Sequence, residues 1–276
     1  MAARPPKASV SEDSLREAFD RLALSFDSVL VKNPINAWMH QVNMSALRST
    51  FSPGDCLLEL GCGTGTDAIE LAKSGCRIFG IDISKGMVAE AHEKVVAEGL
   101  EDRVVIVPGR SRDLLQIVLQ SPWSSFDGGY ANFTLTYEED LAGIAKGLAE
   151  ILRPGAFFIC TLPNRVVLSE VLVYGLQLRF QDFLWRLAKP LLKDVHGVKL
   201  EIRACSPWQV REAFHSYFEL RALVGLPTFL PPVYLHPQYR RLGGAQLLLM
   251  WLDGHLADRY PWNRLGEHTL FKFERI

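Results

Sequence analysis

Short apolar runs alternate with amphipathic stretches along most of this chain, and this alternation predicts strands that alternate with helices. The helical stretches between the runs hold apolar residues at spacings of three and four positions. Such a pattern favours an α/β fold in which helices cover both faces of a doubly wound sheet. The runs that predict strands are 57–60, 76–81, 103–107, 124–131, 156–162, 218–224 and 268–275.

The chain before the first strand predicts helices. Residues 1–10 contain prolines and small residues and predict a flexible leader. Apolar residues at helical spacing then predict an N-terminal helical cap over 11–50, interrupted at Pro34. The remainder, 51–276, is predicted to form one domain that contains the sheet.

Two long insertions interrupt the later part of this domain, at 163–205 and 225–267. The first predicts a strongly apolar helix over 166–192. The second is rich in proline and tyrosine and then predicts a helix over 242–256. Both leave the sheet at the edge where ligands bind in open α/β folds. Together with the N-terminal cap, they are predicted to form a substrate roof.

A glycine-rich turn after the first strand contains the residues that are the first candidates for ligand binding. Residues 59–65 read Glu-Leu-Gly-Cys-Gly-Thr-Gly, and a helix begins near Asp67. Glycine permits a sharp turn and lets a ligand lie against bare backbone. The dinucleotide fingerprint G-x-G-x-x-G does not fit, because Thr66 stands at the position of its third glycine.

The stretch 59–65 resembles the first motif of class I S-adenosylmethionine (SAM) methyltransferases. Residues 80–87, Gly-Ile-Asp-Ile-Ser-Lys-Gly-Met, resemble the second motif of that family. The resemblance covers residues 50–162, and it is strongest for the small-molecule group that includes ubiquinone/menaquinone C-methyltransferases. It implies a Rossmann-like seven-stranded sheet whose last strand is antiparallel, SAM as the cofactor, and methyl transfer as the reaction.

The resemblance also implies where the cofactor lies. The glycine loop would contact the methionine part, whose amino group and sulfonium suit acidic side chains such as Glu59. Asp82 follows Gly61 by 21 residues, a distance at which an acidic residue takes both ribose hydroxyls. The alternative role of Asp82 is to cap the next helix.

The adenine contact departs from the family pattern. Arg110 stands where many relatives have an acidic residue, and arginine has no acceptor atom. Ser111 would supply the contact instead, or Arg110 would stack on the ring; a surface charge is the alternative. His40 and Arg48 are candidates to hold the cofactor carboxylate, with solvated helix faces as the alternative. The predicted cofactor-binding residues are Glu59, Gly61, Cys62, Gly63, Gly65, Asp82, Ile83, Met87, Arg110, Ser111, Asn132 and Phe133.

No catalytic residue follows from the sequence. Methyl transfer from a sulfonium depends mainly on orientation and exclusion of water. A general base is needed only when the acceptor keeps its proton until late. The candidates for such a base, none of which has a motif around it, are His196, His236 and Tyr174, followed by Tyr234 and Tyr239.

The amino-acid composition limits the classes of partner and cofactor that the sequence predicts. Thirty basic and 31 acidic residues among 276 leave a formal charge of −1, and no basic patch predicts a nucleic-acid groove. Five cysteines without a C-x-x-C pair predict reduced thiols in a cytoplasmic protein. The seven histidines have no zinc spacing, so no metal is predicted. No apolar run reaches the roughly 18 residues of a membrane span.

The sequence therefore predicts a SAM-dependent methyltransferase that acts on an O, C or N atom of a small, largely hydrophobic organic acceptor. One alternative is a non-catalytic SAM-binding or interaction protein, in which 166–192 forms a dimer or membrane-surface face. Another is a nicotinamide-dependent oxidoreductase, against which the Gly65–Thr66 spacing argues. A homodimer is compatible with the apolar insertions.

Overall fold

The computed structural model describes residues 12–176, 191–195, 198–235, 239 and 241–276. The predicted leader lies outside these residues. The strands are β1 (Cys56–Leu60), β2 (Arg77–Asp82), β3 (Val104–Pro108), β4 (Phe126–Asn132), β5 (Leu152–Pro163), β6 (Leu191–Val195), β7 (Val198–Ile202), β8 (Phe218–Leu226) and β9 (His268–Arg275). The helices are α1 (Glu12–Leu22), α2 (Phe26–Lys32), α3 (Pro34–Thr50), α4 (Thr66–Lys73), α5 (Lys85–Ala97), α6 (Leu114–Ile117), α7 (Leu141–Ile151), α8 (Leu168–Leu176), α9 (Pro207–Phe214) and α10 (Ala245–Leu256).

Seven strands form one sheet in the order β3-β2-β1-β4-β5-β9-β8. Strands β1 to β5 pair in parallel, and β9 runs antiparallel between β5 and β8. The predicted seven-stranded Rossmann-like sheet with an antiparallel last strand is therefore confirmed. The strand order reverses between β1 and β4, and the carboxyl ends of these two parallel strands border the crevice where such sheets bind ligands.

The core lies on both faces of this sheet. All five residues of β1 are buried, and successive side chains of a strand point to opposite faces. Leu58 accordingly belongs to a cluster with Phe158 and Phe214 of α9, whereas Leu57 belongs to a cluster with Met44 of α3. Burial on both faces explains why the predicted strands are almost continuously apolar.

Serine side chains cap two helices of the domain. Ser84 Oγ accepts the Met87 amide at 3.0 Å at the start of α5. Ser206 begins α9 with a capping box that involves Gln209, and Pro207 occupies the first helical turn. Each contact satisfies amide groups that have no partner inside the helix.

The prediction of a helix over 166–192 is wrong at the C-terminal end of that range. Helix α8 covers only Leu168–Leu176, and Leu191–Val195 is strand β6, which pairs antiparallel with β7. Residues 177–190 lie outside the described part of the chain. An apolar run fits a helix and a buried strand equally well, and here pairing with β7 decides, because it satisfies the backbone of both strands and the hairpin buries Leu200.

Strand β5 is longer than the predicted run 156–162. Strand β5 begins before it, because Leu152 pairs with Phe126. The next pair joins Phe157 to Gly128, so the residues between them bulge from the ladder. Gly155 has a φ of +78°, which the bulge requires and which glycine adopts without strain.

Candidate functional site

A large cavity of about 2190 Å³ opens at the carboxyl ends of β1, β2 and β4. Small-molecule sites usually measure roughly 300–1,000 Å³, so this cavity has room for two ligands side by side. Residues of α1 to α3, of the glycine loop and of both insertions line it. All the predicted cofactor-binding residues line this cavity except Gly65.

The glycine loop approaches the cavity with bare backbone. Gly61 and Gly63 have φ values of +68° and +53°, which only glycine adopts freely. A Cβ atom on Gly61 would lie 2.1 Å from Thr134 Oγ1, whereas one on Gly63 would meet only the Phe26 ring at 3.8 Å. Gly63 therefore leaves open space in which a ligand can lie against the chain.

Gly65 has a different place. It precedes α4 with a φ of +72°. A Cβ atom there would lie 3.1 Å from both Ala91 of α5 and Ile106 of β3. The absence of a side chain at Gly65 lets the start of α4 pack closely on these elements, and the residue does not contribute to the cavity wall.

Glu59 places a buried carboxyl beside the cavity. Its Oε2 atom accepts no hydrogen bond from the part of the chain that the structure describes. Burial raises the pKa of Glu59 well above its usual range, and the charges of Asp67 and Asp82 raise it further. The nearby Tyr130 hydroxyl acts in the opposite direction. A positively charged ligand would relieve this unfavourable arrangement.

Asp67 joins two other polar side chains of the cavity wall. His40 Nε2 lies 2.7 Å from Asp67 Oδ1, and Asn132 Nδ2 donates to Asp67 Oδ2 at 2.8 Å. The hydrogen bond to Asp67 is the largest of the effects that raise the pKa of His40. Asn132 Oδ1 is buried and has no hydrogen-bond partner among the described residues. Arg48, the other predicted ligand of the cofactor carboxylate, does not join this group. It forms an ion pair with Glu70 at 2.7 Å.

Asp82 fixes the glycine loop and still faces the cavity. Its Oδ2 accepts the Gly63 amide and its Oδ1 accepts the Ser84 amide, each at 2.8 Å. Burial raises the pKa of Asp82, Asp20 raises it further, and the two amides oppose the rise. Each carboxylate oxygen has a second lone pair, so both can accept another hydrogen bond. Ser84, rather than Asp82, caps α5 through its side chain.

The N-terminal helices attach to the cavity rim through three acidic residues that sequence reasoning missed. Glu12 binds Arg110 at 2.6 Å and Arg112 at 2.5 Å. Asp20 accepts Ser84 Oγ at 2.6 Å and the Gly86 amide at 2.8 Å. Asp27 accepts Thr64 Oγ1 at 2.7 Å and Lys94 Nζ at 2.8 Å. The guanidinium of Arg110 is thus held by α1, while the neighbouring Ser111 is buried in the cavity wall.

The structure also shows which candidate bases can be placed. His196 and His236 lie outside the described residues, and Tyr174 is described by its backbone alone. Tyr234 lines the cavity, whereas Tyr239 is buried against Ile35 and Leu230.

The sequence missed His268, which lines the cavity beside Phe133. The two rings meet edge to face with centroids 5.2 Å apart. Phe133 is also the one non-glycine residue of the described ranges with a positive φ, +58°. One signal was available: β9 is antiparallel, so its first residue lies at the edge where the parallel strands end.

The donor and acceptor set fits SAM. Glu59 Oε2 and Asn132 Oδ1 are buried acceptor atoms without partners in the described chain, and SAM carries an ammonium group and a sulfonium. Gly63 leaves space beside them, and both Asp82 oxygens retain acceptor capacity for a ribose diol. No group of three or more potential metal-ligating side chains occurs among the described residues, and the absence of a metal stays a prediction.

Comparison with known proteins agrees with this fit. Residues 57–155 match the family model described as a methyltransferase domain. Demethylmenaquinone methyltransferase of Symbiobacterium thermophilum is 29% identical over 188 residues, which are 66% of this chain and 71% of that protein. The (+)-O-methylkolavelool synthase of Herpetosiphon aurantiacus is 26% identical over 44% of this chain, and the match spans only 42% of that protein.

Among solved structures, the (4+2)-cyclase SpnF matches with a TM-score of 0.62 at 16% identity, covering 96% of this chain and 97% of that chain. This likeness concerns the fold alone. No helix in the described ranges is long and apolar enough to cross a membrane. The glycine loop, the acidic cavity wall and the matched domain lead to one conclusion: residues 57–155 form a methyltransferase domain, and this chain is a SAM-dependent methyltransferase with SAM as its cofactor.

Proposed function

We propose that this enzyme transfers a methyl group from SAM to a small, largely hydrophobic organic acceptor. The observation that carries the proposal is the composition of the large cavity. Its wall contains the carboxyls of Glu59, Asp67 and Asp82, and it also contains the apolar or aromatic side chains of Phe133, Pro163, Val233 and Tyr234. A cationic cofactor suits the first region and an apolar acceptor suits the second.

The cofactor end is assigned to residues of three strand ends. Glu59 and Asn132 Oδ1 accept from the ammonium group, and the bare backbone at Gly63 lies against the methionine part. Asp82 accepts from the ribose hydroxyls. The remaining cofactor contacts are assigned to Gly61, Cys62, Ile83, Met87, Ser111 and Phe133. Arg110 is assigned to the rim of the adenine end, because Glu12 already holds its guanidinium.

The acceptor end is assigned to the side of the cavity beyond Phe133. Pro163 at the end of β5, Val233 and Tyr234 in the second insertion, and His268 at the start of β9 line it. SAM supplies a methyl group on a sulfonium, so the protein's tasks are to orient the acceptor and exclude water. The N-terminal helices and both insertions serve as the predicted cap and roof for this purpose.

The names of the relatives support this acceptor class. One acts on a demethylmenaquinone and the other is named for an O-methyl product. Only the second name states a methylated atom, so the atom in this enzyme is not assigned. The chain's formal charge of −1 supports an uncharged organic acceptor better than a nucleic acid.

The test of this function combines calorimetry with an acceptor screen. We expect S-adenosylhomocysteine, the product cofactor, to bind with one-to-one stoichiometry. Methyl-labelled SAM should then label prenylated quinols, terpenoid alcohols or other apolar acceptors. Failure to bind in a protein that circular dichroism shows to be folded would contradict the cofactor site. Binding followed by labelling of protein or RNA alone would contradict the acceptor class.

The attachment of the N-terminal helices leads to a prediction about cofactor release. In an Asp20→Asn/Asp27→Asn variant, we expect S-adenosylhomocysteine to dissociate about three- to tenfold faster. The partly exposed ion pair between Asp27 and Lys94 contributes about 0–1 kcal/mol, and a hydrogen bond such as that from Ser84 to Asp20 contributes about 0.5–1.5 kcal/mol. Lost contacts of this kind act mainly on the dissociation rate. Stopped-flow displacement measures this rate. Asp13→Asn is the control, because Asp13 pairs only within α1, with Arg16. An unchanged rate would mean that these contacts do not restrain the cofactor.

His268 leads to a second prediction. If the acceptor releases a proton late, His268→Gln is expected to lower kcat about 100-fold, the usual contribution of a positioned base. The affinity for S-adenosylhomocysteine should stay within twofold, because the residue is assigned to the acceptor side. His215→Gln, an exposed histidine beyond α9, is the matched control. A variant that keeps kcat within threefold would remove His268 from the catalytic step.

A further inference from the structure

Helix α10 presents an apolar face to solvent. Its inner side is fixed by Asp253, the one charged residue between Ala245 and Leu256. The buried Asp253 carboxylate accepts the amides of Thr228 at 2.7 Å and Leu230 at 2.8 Å. This contact determines how the helix is rotated about its axis, and therefore which side chains face outward.

The outward side chains are large and hydrophobic. Leu247 is 73% exposed, Leu248 is 58% exposed and Trp251 is 54% exposed. A helix on the surface of a globular protein normally carries polar residues on its outer face. Exposed apolar residues that share one helix face are suited to an interaction.

The residues at the ends of α10 indicate the kind of partner. Arg241 precedes the helix and Arg259 follows it, both on the surface. Tyr260 is 75% exposed, and the Arg264 guanidinium lies 5.4 Å from the centre of its ring. Asp258 is the one exposed acidic residue between Arg241 and Arg264. Apolar side chains with tryptophan, tyrosine and arginine around them are typical of helices that lie in the surface of a bilayer.

A second copy of the chain fits this face less well. A helix of 12 residues is only about 18 Å long and about 10 Å wide. Two such faces together would bury roughly 400 Å², well below the ~1,000 Å² of a stable interface. A dimer would also place the positively charged arginines of both copies, Arg241 and Arg259, in one interface. A lipid surface has neither limitation, because it is continuous and anionic headgroups attract the arginines.

We propose that the outer face of α10 docks this protein on the surface of an anionic lipid bilayer. The docking itself is independent of methyl transfer. The inner side of α10 connects it to the active site, because Leu249 packs in one cluster with Ile35, Leu230 and Tyr239. Val233 of the same cluster lines the cavity. This last step rests on the proposed function. An apolar acceptor dissolved in the bilayer would then lie near the acceptor end of the cavity.

Vesicle flotation tests the proposal with the full-length protein. The probes are phosphatidylcholine vesicles with and without phosphatidylglycerol, at low and high salt. We expect the protein to float with the anionic vesicles, and high salt to weaken this binding. The Leu247→Ser/Trp251→Ser variant should bind at least about tenfold more weakly, because most of the inserted apolar area is lost. Arg241→Gln/Arg259→Gln should bind anionic vesicles about tenfold more weakly.

A matched control is available elsewhere on the surface. Leu119→Ser/Trp208→Ser removes the same two residue types at positions that are 83% and 67% exposed, and it should bind vesicles like the wild type. All variants should bind S-adenosylhomocysteine normally, since no residue of α10 lines the described cavity. Loss of that binding together with retained flotation would count against the proposed function and leave the docking surface intact.

Three results would overturn the docking proposal. The first is no flotation with anionic vesicles at low salt, or equal flotation of the Leu247→Ser/Trp251→Ser variant and the wild type. The second is a wild-type dimer in sedimentation that this variant dissociates, which would make α10 a contact between copies. The third is a fall in thermal stability in this variant and not in the control, which would show that another part of the chain covers the face.

Discussion

Asp82→Ala is expected to abolish measurable binding of S-adenosylhomocysteine while the fold persists. The side chain provides two acceptor oxygens at the end of β2, and we assign both to the ribose hydroxyls. Hydrogen bonds to a charged group contribute about 1.5–3 kcal/mol each, so their combined loss corresponds to roughly 100- to 10,000-fold weaker binding. Part of this loss arises because Asp82 also holds the Gly63 amide at 2.8 Å.

Asp82→Asn separates the two contributions. An amide keeps one acceptor oxygen and replaces the other with a donor, so it cannot accept from both Gly63 and Ser84 through its two terminal atoms. We expect intermediate binding, measured by calorimetry, with an unchanged circular dichroism spectrum. Asp102→Ala is the control, because Asp102 is exposed and contacts only Arg103 at 3.9 Å. Asp82→Ala that binds within tenfold of the wild type would contradict the site assignment.

Glu59→Gln is expected to have opposite effects on binding and on stability. The carboxyl is buried and has no partner for Oε2 in the described chain, so we assign it to the cofactor ammonium group. Loss of one charged hydrogen bond predicts about 10- to 150-fold weaker binding of SAM and of S-adenosylhomocysteine. The amide is isosteric with the carboxyl, so the loss reflects charge rather than shape.

The stability effect depends on pH. The pKa of Glu59 is raised above its usual value of 4.5, chiefly by burial. The stabilising contribution of such a group is fully present below the unfolded-state pKa and is lost as the pH rises through the folded-state pKa. In the absence of cofactor, we therefore expect wild type and Glu59→Gln to be equally stable near pH 4.5. At pH 8 the variant should be the more stable protein.

Denaturant unfolding from pH 4.5 to 8 measures this difference. S-adenosylhomocysteine should reverse the order at pH 8, because it stabilises the wild type more than the weakly binding variant. Glu93→Gln is the control, since Glu93 is exposed on α5. A constant difference in unfolding free energy across the pH range would show that the carboxyl is not destabilised by burial.

Much of the fold was predictable because its signals are local. The apolar runs of β1 to β5 follow from burial on both faces of the sheet, and the capping residues Ser84 and Ser206 act within one helical turn. The glycine loop and Asp82 are separated by one strand–helix–strand unit whose geometry is regular. For this reason the sequence predicted residues that line one cavity, with the exception of Gly65. The positive φ of Gly65 follows from the glycine-rich turn, but its contacts with Ala91 and Ile106 do not.

The tertiary structure alone decided the remaining features, because they depend on contacts between distant positions. His40 and Asn132 meet Asp67 across 27 and 65 positions of the chain, and nothing around these residues encodes the contacts. The β6–β7 hairpin was hidden because an apolar run fits a helix and a strand alike. His268 is the exception, because the predicted antiparallel direction of the last strand was a signal for its place at the cavity edge. The sequence by itself determined the sheet and the glycine loop through local spacing, whereas long-range packing decided the acidic contacts of the N-terminal helices and the contacts of Asp67 in the cavity wall.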